Sequence, residues 1–196
     1  MNFSKKCLLA ATCGVISLFT VTALAAQPTS NHQDKAAKKP NYTRLRKLLA
    51  TGKWKEADIE TYKQMHLLAK NGEYLTGDEK AKFPCNHLKA IDQLWLKASK
   101  NRFGFSVQKR IWQASGGGSG FDEKIYTKFV IRVGWYTKDS TVNGGYRTIN
   151  IDNLNYSLKA PQGHLPGIVM SDFGAGGGFG GASGWYFIPR TASCKL

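Results

Sequence analysis

Between residues 42 and 114, apolar side chains recur at three- and four-residue steps in short runs, each closed by a helix-stopping signal. Tyr42, Leu45, Leu48 and Leu49 share one helical face, and Gly52 follows just past its end. Trp54, Ala57, Thr61, Met65, Leu68 and Ala69 form a second face, stopped at Asn71-Gly72. Thr76 with Glu79 spells a capping box for a short third helix ahead of Phe83-Pro84. Asn86 is placed to cap a fourth helix with Leu88, Ile91, Leu94, Trp95 and Ala98 on one side, and Ser106 a fifth with Val107, Ile111 and Ala114. The pattern predicts a mainly α fold, a compact multi-helix domain over residues 42–196.

The character changes at the glycine-rich break from Ser115 to Gly120. Phe121, Ile125, Phe129 and Val133 fit a helix, yet Phe129, Ile131, Val133 and Trp135 alternate as a strand would, and periodicity alone leaves both open. Ile149/Ile151 and Leu154/Tyr156/Leu158 suggest a short strand or extended segment, so a minor β-hairpin is allowed for. Seven of the eleven residues from 174 to 184 are glycine, which reads as a mobile loop.

The first 26 residues have the form of a secretory signal: Lys5 and Lys6, an apolar stretch from Leu8 to Leu24, and Ala23-Leu24-Ala25 before the cut. An uncleaved anchor is the alternative, but the run is short for spanning a bilayer. Residues 27–41 are polar, small and Pro-containing, and read as a flexible linker. No other apolar run approaches membrane-spanning length, so the expected product is exported, periplasmic if the host is Gram-negative, with no transmembrane segment in the mature chain. Removing two lysines from 28 Lys+Arg against 13 Asp+Glu leaves 26 against 13, or +13. That field attracts anions such as lipid head groups or a polyanionic ligand, and export sets nucleic acid aside. Cys85 and Cys194 are the cysteines left after cleavage; in an exported chain they are expected to pair, with two buried thiols as the alternative.

Catalytic constellations are not apparent. Gly176-x-Gly178-x-x-Gly181 matches a dinucleotide fingerprint in letters but has neither a strand before it nor a helix after it. Ser119 and Ser183 lack nucleophile-elbow spacing. The histidines at 32, 66, 87 and 164 are scattered, so no metal is expected. Glu56, Asp58 and Glu60 are close in sequence, but alternate positions on a helix point apart, and they read as a solvated surface.

One ordered set is specific. Phe83-Pro84-Cys85-Asn86-His87-Leu88 through Leu94-Trp95 precedes Phe103-Gly104-Phe105-Ser106-Val107-Gln108 and Ile111-Trp112, then Gly134-Trp135 and Gly163-His164-Leu165-Pro166. From Tyr42 to Pro166 the chain resembles the Genomes-Uncoupled-Four-like domain, a porphyrin-binding family. The resemblance implies a helical fold shaped like a cupped hand, whose apolar palm binds protoporphyrin and its metallated forms and which is not itself a catalyst. It implies palm walls at Leu75, Phe83, Leu154 and Tyr156. Phe105 and Leu165 join these as candidates, Phe105 with a core role as its alternative. Ile168, Met170 and Phe173 could fold down over a ligand. The arginines that photosynthetic members carry after the Gly-His-Leu-Pro turn have no match in Gly167–Phe173; Arg147 and Arg190 are candidates to replace their charge. His164 reads as a structural residue rather than an axial ligand.

The resulting expectation is non-enzymatic binding of haem or another porphyrin as ligand, with no required cofactor, for carriage, scavenging or sensing. A different expectation keeps the fold but not the ligand: an exported module that meets a protein or an anionic envelope partner.

Overall fold

The structure, a computed structural model, describes residues 39–69, 75–171 and 186–196. Helices form where the sequence sets out amphipathic runs: α1 (Thr43–Ala50), α2 (Trp54–His66), α3 (Gly77–Ala81), α4 (Cys85–Ser99) and α5 (Phe105–Ala114). The ambiguous stretch after the glycine break is helical, α6 (Glu123–Arg132), and Asp122 caps it by accepting the Ile125 N–H at 2.9 Å. Strands β1 (Tyr136–Lys138) and β2 (Tyr146–Thr148) pair antiparallel, with Tyr136 opposite Thr148. Short 3-10 turns follow at Ile151–Asn153 and Ile168–Met170, and the described chain ends in α7 (Phe187–Ser193). Periodicity does not announce α7; it tolerates Pro189 because proline in a first turn loses no intrahelical bond. The described fold is thus mainly helical with one small sheet. No helix among the described residues is long and apolar enough to cross a membrane. The expected signal, the expected linker through residue 38, Phe173 and the glycine run at 174–184 lie outside the described residues.

The caps show where local signals suffice. Thr76 accepts the Glu79 N–H while the Glu79 carboxylate accepts the Thr76 N–H at 2.9 Å, the expected capping box of α3. Asn86 does not cap α4, which begins one residue earlier behind Pro84. Ser106 does not cap α5 either. It lies inside the first turn, and its N–H donates at 2.9 Å to Asp92 of α4, which supplies the cap from a distance. Gly104 makes this possible: its φ is +130°, and a Cβ there would sit 2.7 Å from Asp92 Oδ1. Gly104→Ala is therefore expected to destabilise the protein by about 2 kcal/mol or more, read as a lower denaturant midpoint. An unchanged midpoint would show that the α4–α5 junction relaxes freely.

Aromatic side chains join the helices. Trp54 of α2, Trp95 of α4 and Phe103 meet with ring centroids 5.7–6.4 Å apart, and Trp95 Nε1 donates to Thr61 Oγ1 at 3.0 Å. Phe129 of α6 meets Trp112 of α5 and Trp135 edge-on at 6.0 and 5.6 Å. Such rings add to the burial term and fix mutual orientation. The acidic trio departs from its expected place. Glu56 is exposed, but Asp58 is completely buried and Glu60 nearly so. Helix α2 is covered on more than one side, so its polar positions need partners within the protein. Glu60 accepts from Gln64 Nε2 at 2.7 Å and pairs with Arg44 at 3.3 Å.

Candidate functional site

The two most specific sequence motifs bind each other. Gly104 N–H donates to the Leu165 carbonyl at 2.9 Å, and Gly163 N–H to the Arg102 carbonyl at 2.9 Å. Gln108 Nε2 donates to the Gly163 and Pro166 carbonyls at 3.0 and 2.9 Å, and Arg102 clasps the Ala160 carbonyl. Trp135 Nε1 donates to the His164 carbonyl at 2.9 Å. The His164 ring is fully engaged: Nδ1–H donates to the Val133 carbonyl at 2.7 Å, and Nε2 accepts the Asn155 N–H at 3.1 Å. Burial pushes its pKa down, so the ring stays neutral, and neither nitrogen is left for a metal. Three residues past His164, the Gly167 N–H and, after it, the Ile168 N–H donate to Asp58 at 3.0 and 3.2 Å. Burial raises the Asp58 pKa to about 7 against the opposing pull of those two donors. Residues 160–168 are thus clamped onto α2, α5 and the chain after α6.

An open cleft of about 480 Å³ lies beside α3. Leu68, Leu75, Phe83 and Pro84 supply apolar walls, and Thr76, Asp78, Glu79 and Lys82 supply polar ones. Its volume lies within the usual range of small-molecule sites. Helix α7 buttresses the Phe83 wall. Phe187 packs 5.8 Å from Phe83 and stacks 6.2 Å from Phe105, and the Lys80 ammonium lies 5.9 Å over the Phe187 ring. Arg190 Nε donates to the Phe83 carbonyl at 2.7 Å. Cys85 and Cys194 are joined as a disulfide, fixing the end of α7 to the start of α4.

Of the residues expected around a ligand, Leu75 and Phe83 meet at this cleft. Phe105, Leu154, Leu165, Ile168 and Met170 do not line it; they are core residues, 0–6% exposed. The clamp draws residues 160–168 inward, so that Leu165 and Ile168 pack against the helices, and Phe105 is held in the core by its stack on Phe187. Tyr156 is half-buried, with its hydroxyl donating to the Ile151 carbonyl at 2.8 Å and Lys55 5.7 Å over its ring. Burial, with Asp58 nearby, pushes its hydroxyl pKa up. Arg147 sits on β2 and pairs with Asp139 at 3.2 Å, while Arg190 serves the Phe83 carbonyl, so the two do not assemble a cationic rim. Phe173 lies outside the described residues. Sequence reasoning passed over Lys82, a lysine on the cleft, and α7 behind it. The Phe-Pro pair after a capped short helix was the available signal for the first; α7 had none beyond its cysteine.

Residues 35–172 match the family described as GUN4-like, a span that contains the whole Tyr42–Pro166 resemblance. The chain is 34% identical over 143 residues to the Ycf53-like protein of Synechocystis sp., covering 71% of this chain and 56% of that one. It is 39% identical over 83 residues to the chloroplastic tetrapyrrole-binding protein of Arabidopsis thaliana, covering 40% of this chain and 28% of the other. The structure of GUN4 from Chlamydomonas reinhardtii superposes with a TM-score of 0.56 at 27% identity, over 76% of this chain and 88% of that one. The chain spans about half the length, or less, of these curated relatives.

Proposed function

Because this chain belongs to the GUN4-like family, we propose that it binds a tetrapyrrole, a porphyrin or haem, non-covalently and without catalysis, at the cleft walled by Leu75 and Phe83. The observation that carries the reading is the meeting, at one opening, of two side chains that the family resemblance implicates in the palm. A relative in the same comparison is named for tetrapyrrole binding. A porphyrin is a flat apolar disc with two carboxylates. The leucine, phenylalanine and proline walls suit the disc, and Lys82 supplies a cation for a carboxylate. Asp78 and Glu79 on the same rim work against a dianion, so Lys82 is the side chain that sets where a carboxylate is received. The role fits carriage, scavenging or sensing outside the cytoplasm, with residues 1–26 as the export signal.

The test is titration of the purified protein with haem and with protoporphyrin, following the Soret band and tryptophan quenching. Saturable binding at micromolar ligand is expected. Lys82→Glu, on the exposed rim, is expected to weaken it roughly fivefold with the fold unchanged by circular dichroism. No saturable Soret change with either ligand rejects the reading.

A second reading is favoured by the burial of Phe105, Leu154, Leu165, Ile168 and Met170 and by the charge of +13 that remains after cleavage: an exported module that keeps the scaffold and meets a protein or anionic envelope polymer. It requires salt-sensitive retention on such a polymer together with a silent Soret titration.

A further inference from the structure

A second cleft, of about 400 Å³, shares no lining residue with the first. One face of α5 forms its floor, with Val107, Ile111 and Ala114 at helical spacing, and Arg110, Arg132 and Gln162 stand around it. Val107 is buried, Ile111 half-buried and Ala114 exposed, so the floor rises from core to solvent. The two guanidiniums are not neutralised by an ion pair among the described residues. Arg132 uses Nη1 on the Ala114 carbonyl at 2.8 Å and on Ser115 Oγ at 3.2 Å, which steadies it at the cleft and leaves its other N–H groups without a partner among the described residues. Arg110 makes no hydrogen bond or ion pair among the described residues; its electrostatic influence falls on Asp92, whose carboxylate is already held by Ser106.

An apolar floor beside a side-chain amide and two guanidiniums with no ion pair among the described residues suits an amphipathic anion. The forked donors of arginine fit a carboxylate in its plane, and the floor fits a short hydrocarbon body. We propose that the α5–α6 cleft is a binding site for a small amphipathic carboxylate, with its head between Arg110 and Arg132 and its apolar body along Val107, Ile111 and Ala114. This site is independent of the tetrapyrrole reading.

The experiment is titration of the full chain, isotopically labelled, with sodium octanoate, following the Ile111 δ1 methyl and the arginine Nε–H signals by NMR. Saturable shifts at Ile111 and at both arginines are expected. Octylammonium, with the same tail and the opposite charge, should leave them unmoved. Arg110→Gln should weaken octanoate roughly fivefold, and Ala114→Trp, which fills the floor from an exposed position, should abolish it. Saturating protoporphyrin should not displace octanoate. The proposal is overturned by the absence of saturable shifts up to about 10 mM octanoate, by equal binding of octylammonium, by an unchanged affinity in Arg110→Gln, or by displacement with protoporphyrin.

Discussion

Cys85→Ser is expected to lower stability by about 4 kcal/mol, because the bond it removes closes a loop between residues 109 positions apart and so constrains the unfolded chain strongly. For a protein of this size that corresponds to a fall in Tm of about 10 °C. The loss should centre on α7. Without the bond, α7 is held by Phe187 between Phe83 and Phe105, by the Arg190 bond to the Phe83 carbonyl, and by the Lys109 ammonium on the Leu196 carbonyl. Hydrogen exchange of the 187–193 amides should rise more than that of α4 or α5. Wild-type protein treated with dithiothreitol should reproduce the variant, and the variant should not respond to reductant. Equal stability of Cys85→Ser and the oxidised wild type would show that side-chain packing alone docks α7.

Asp58→Ala is expected to cost about 3 kcal/mol, since it leaves the Gly167 and Ile168 N–H groups buried without an acceptor. The same carboxyl gives a signed pH dependence. Unfolded, it loses its proton near pH 4, as an ordinary aspartate does. Folded, burial holds the proton until about pH 7. Between those values the folded state binds a proton that the unfolded chain has released. The contribution is therefore complete below about pH 4, shrinks as pH rises, and is gone above about pH 7. His164 acts in the opposite sense: its depressed pKa means that stability falls as pH drops below the ordinary histidine value. Asp58→Asn isolates the first effect. Subtracting its urea-midpoint profile from that of the wild type should leave a curve that declines between pH 4 and 7, and a flat difference would place the titration elsewhere.

The helices were legible because their signals are local. The period of Leu45, Leu48 and Leu49 and the Thr76–Glu79 box each act within a few residues, and the structure forms those elements. Asp122 at a helix start decided the stretch that period alone left open. What stayed hidden depends on distance along the chain. Ser106 resembles a cap, yet the cap is Asp92, fourteen residues earlier, and only the tightness of Gly104 betrays the contact. Asp58 resembles a surface acid until residues 109 and 110 positions away bring their N–H groups to it. Leu165, Ile168 and Met170 carry the apolar character of a wall, but a core and a cleft ask for the same side chains. Nothing in the local sequence says which of the two a segment will enter; the Gln108, Trp135 and Asp58 hydrogen bonds decide it.

The clamp between Gly104, Gln108 and the 163–168 turn bears on how such proteins can diverge. The residues that make descent recognisable are occupied in holding two stretches of backbone together. They would persist in a descendant that had exchanged its cargo or given it up. On the proposed reading, what a member carries is decided instead at the cleft beside α3, where exposed positions such as Asp78 and Lys82 can be substituted without touching the clamp.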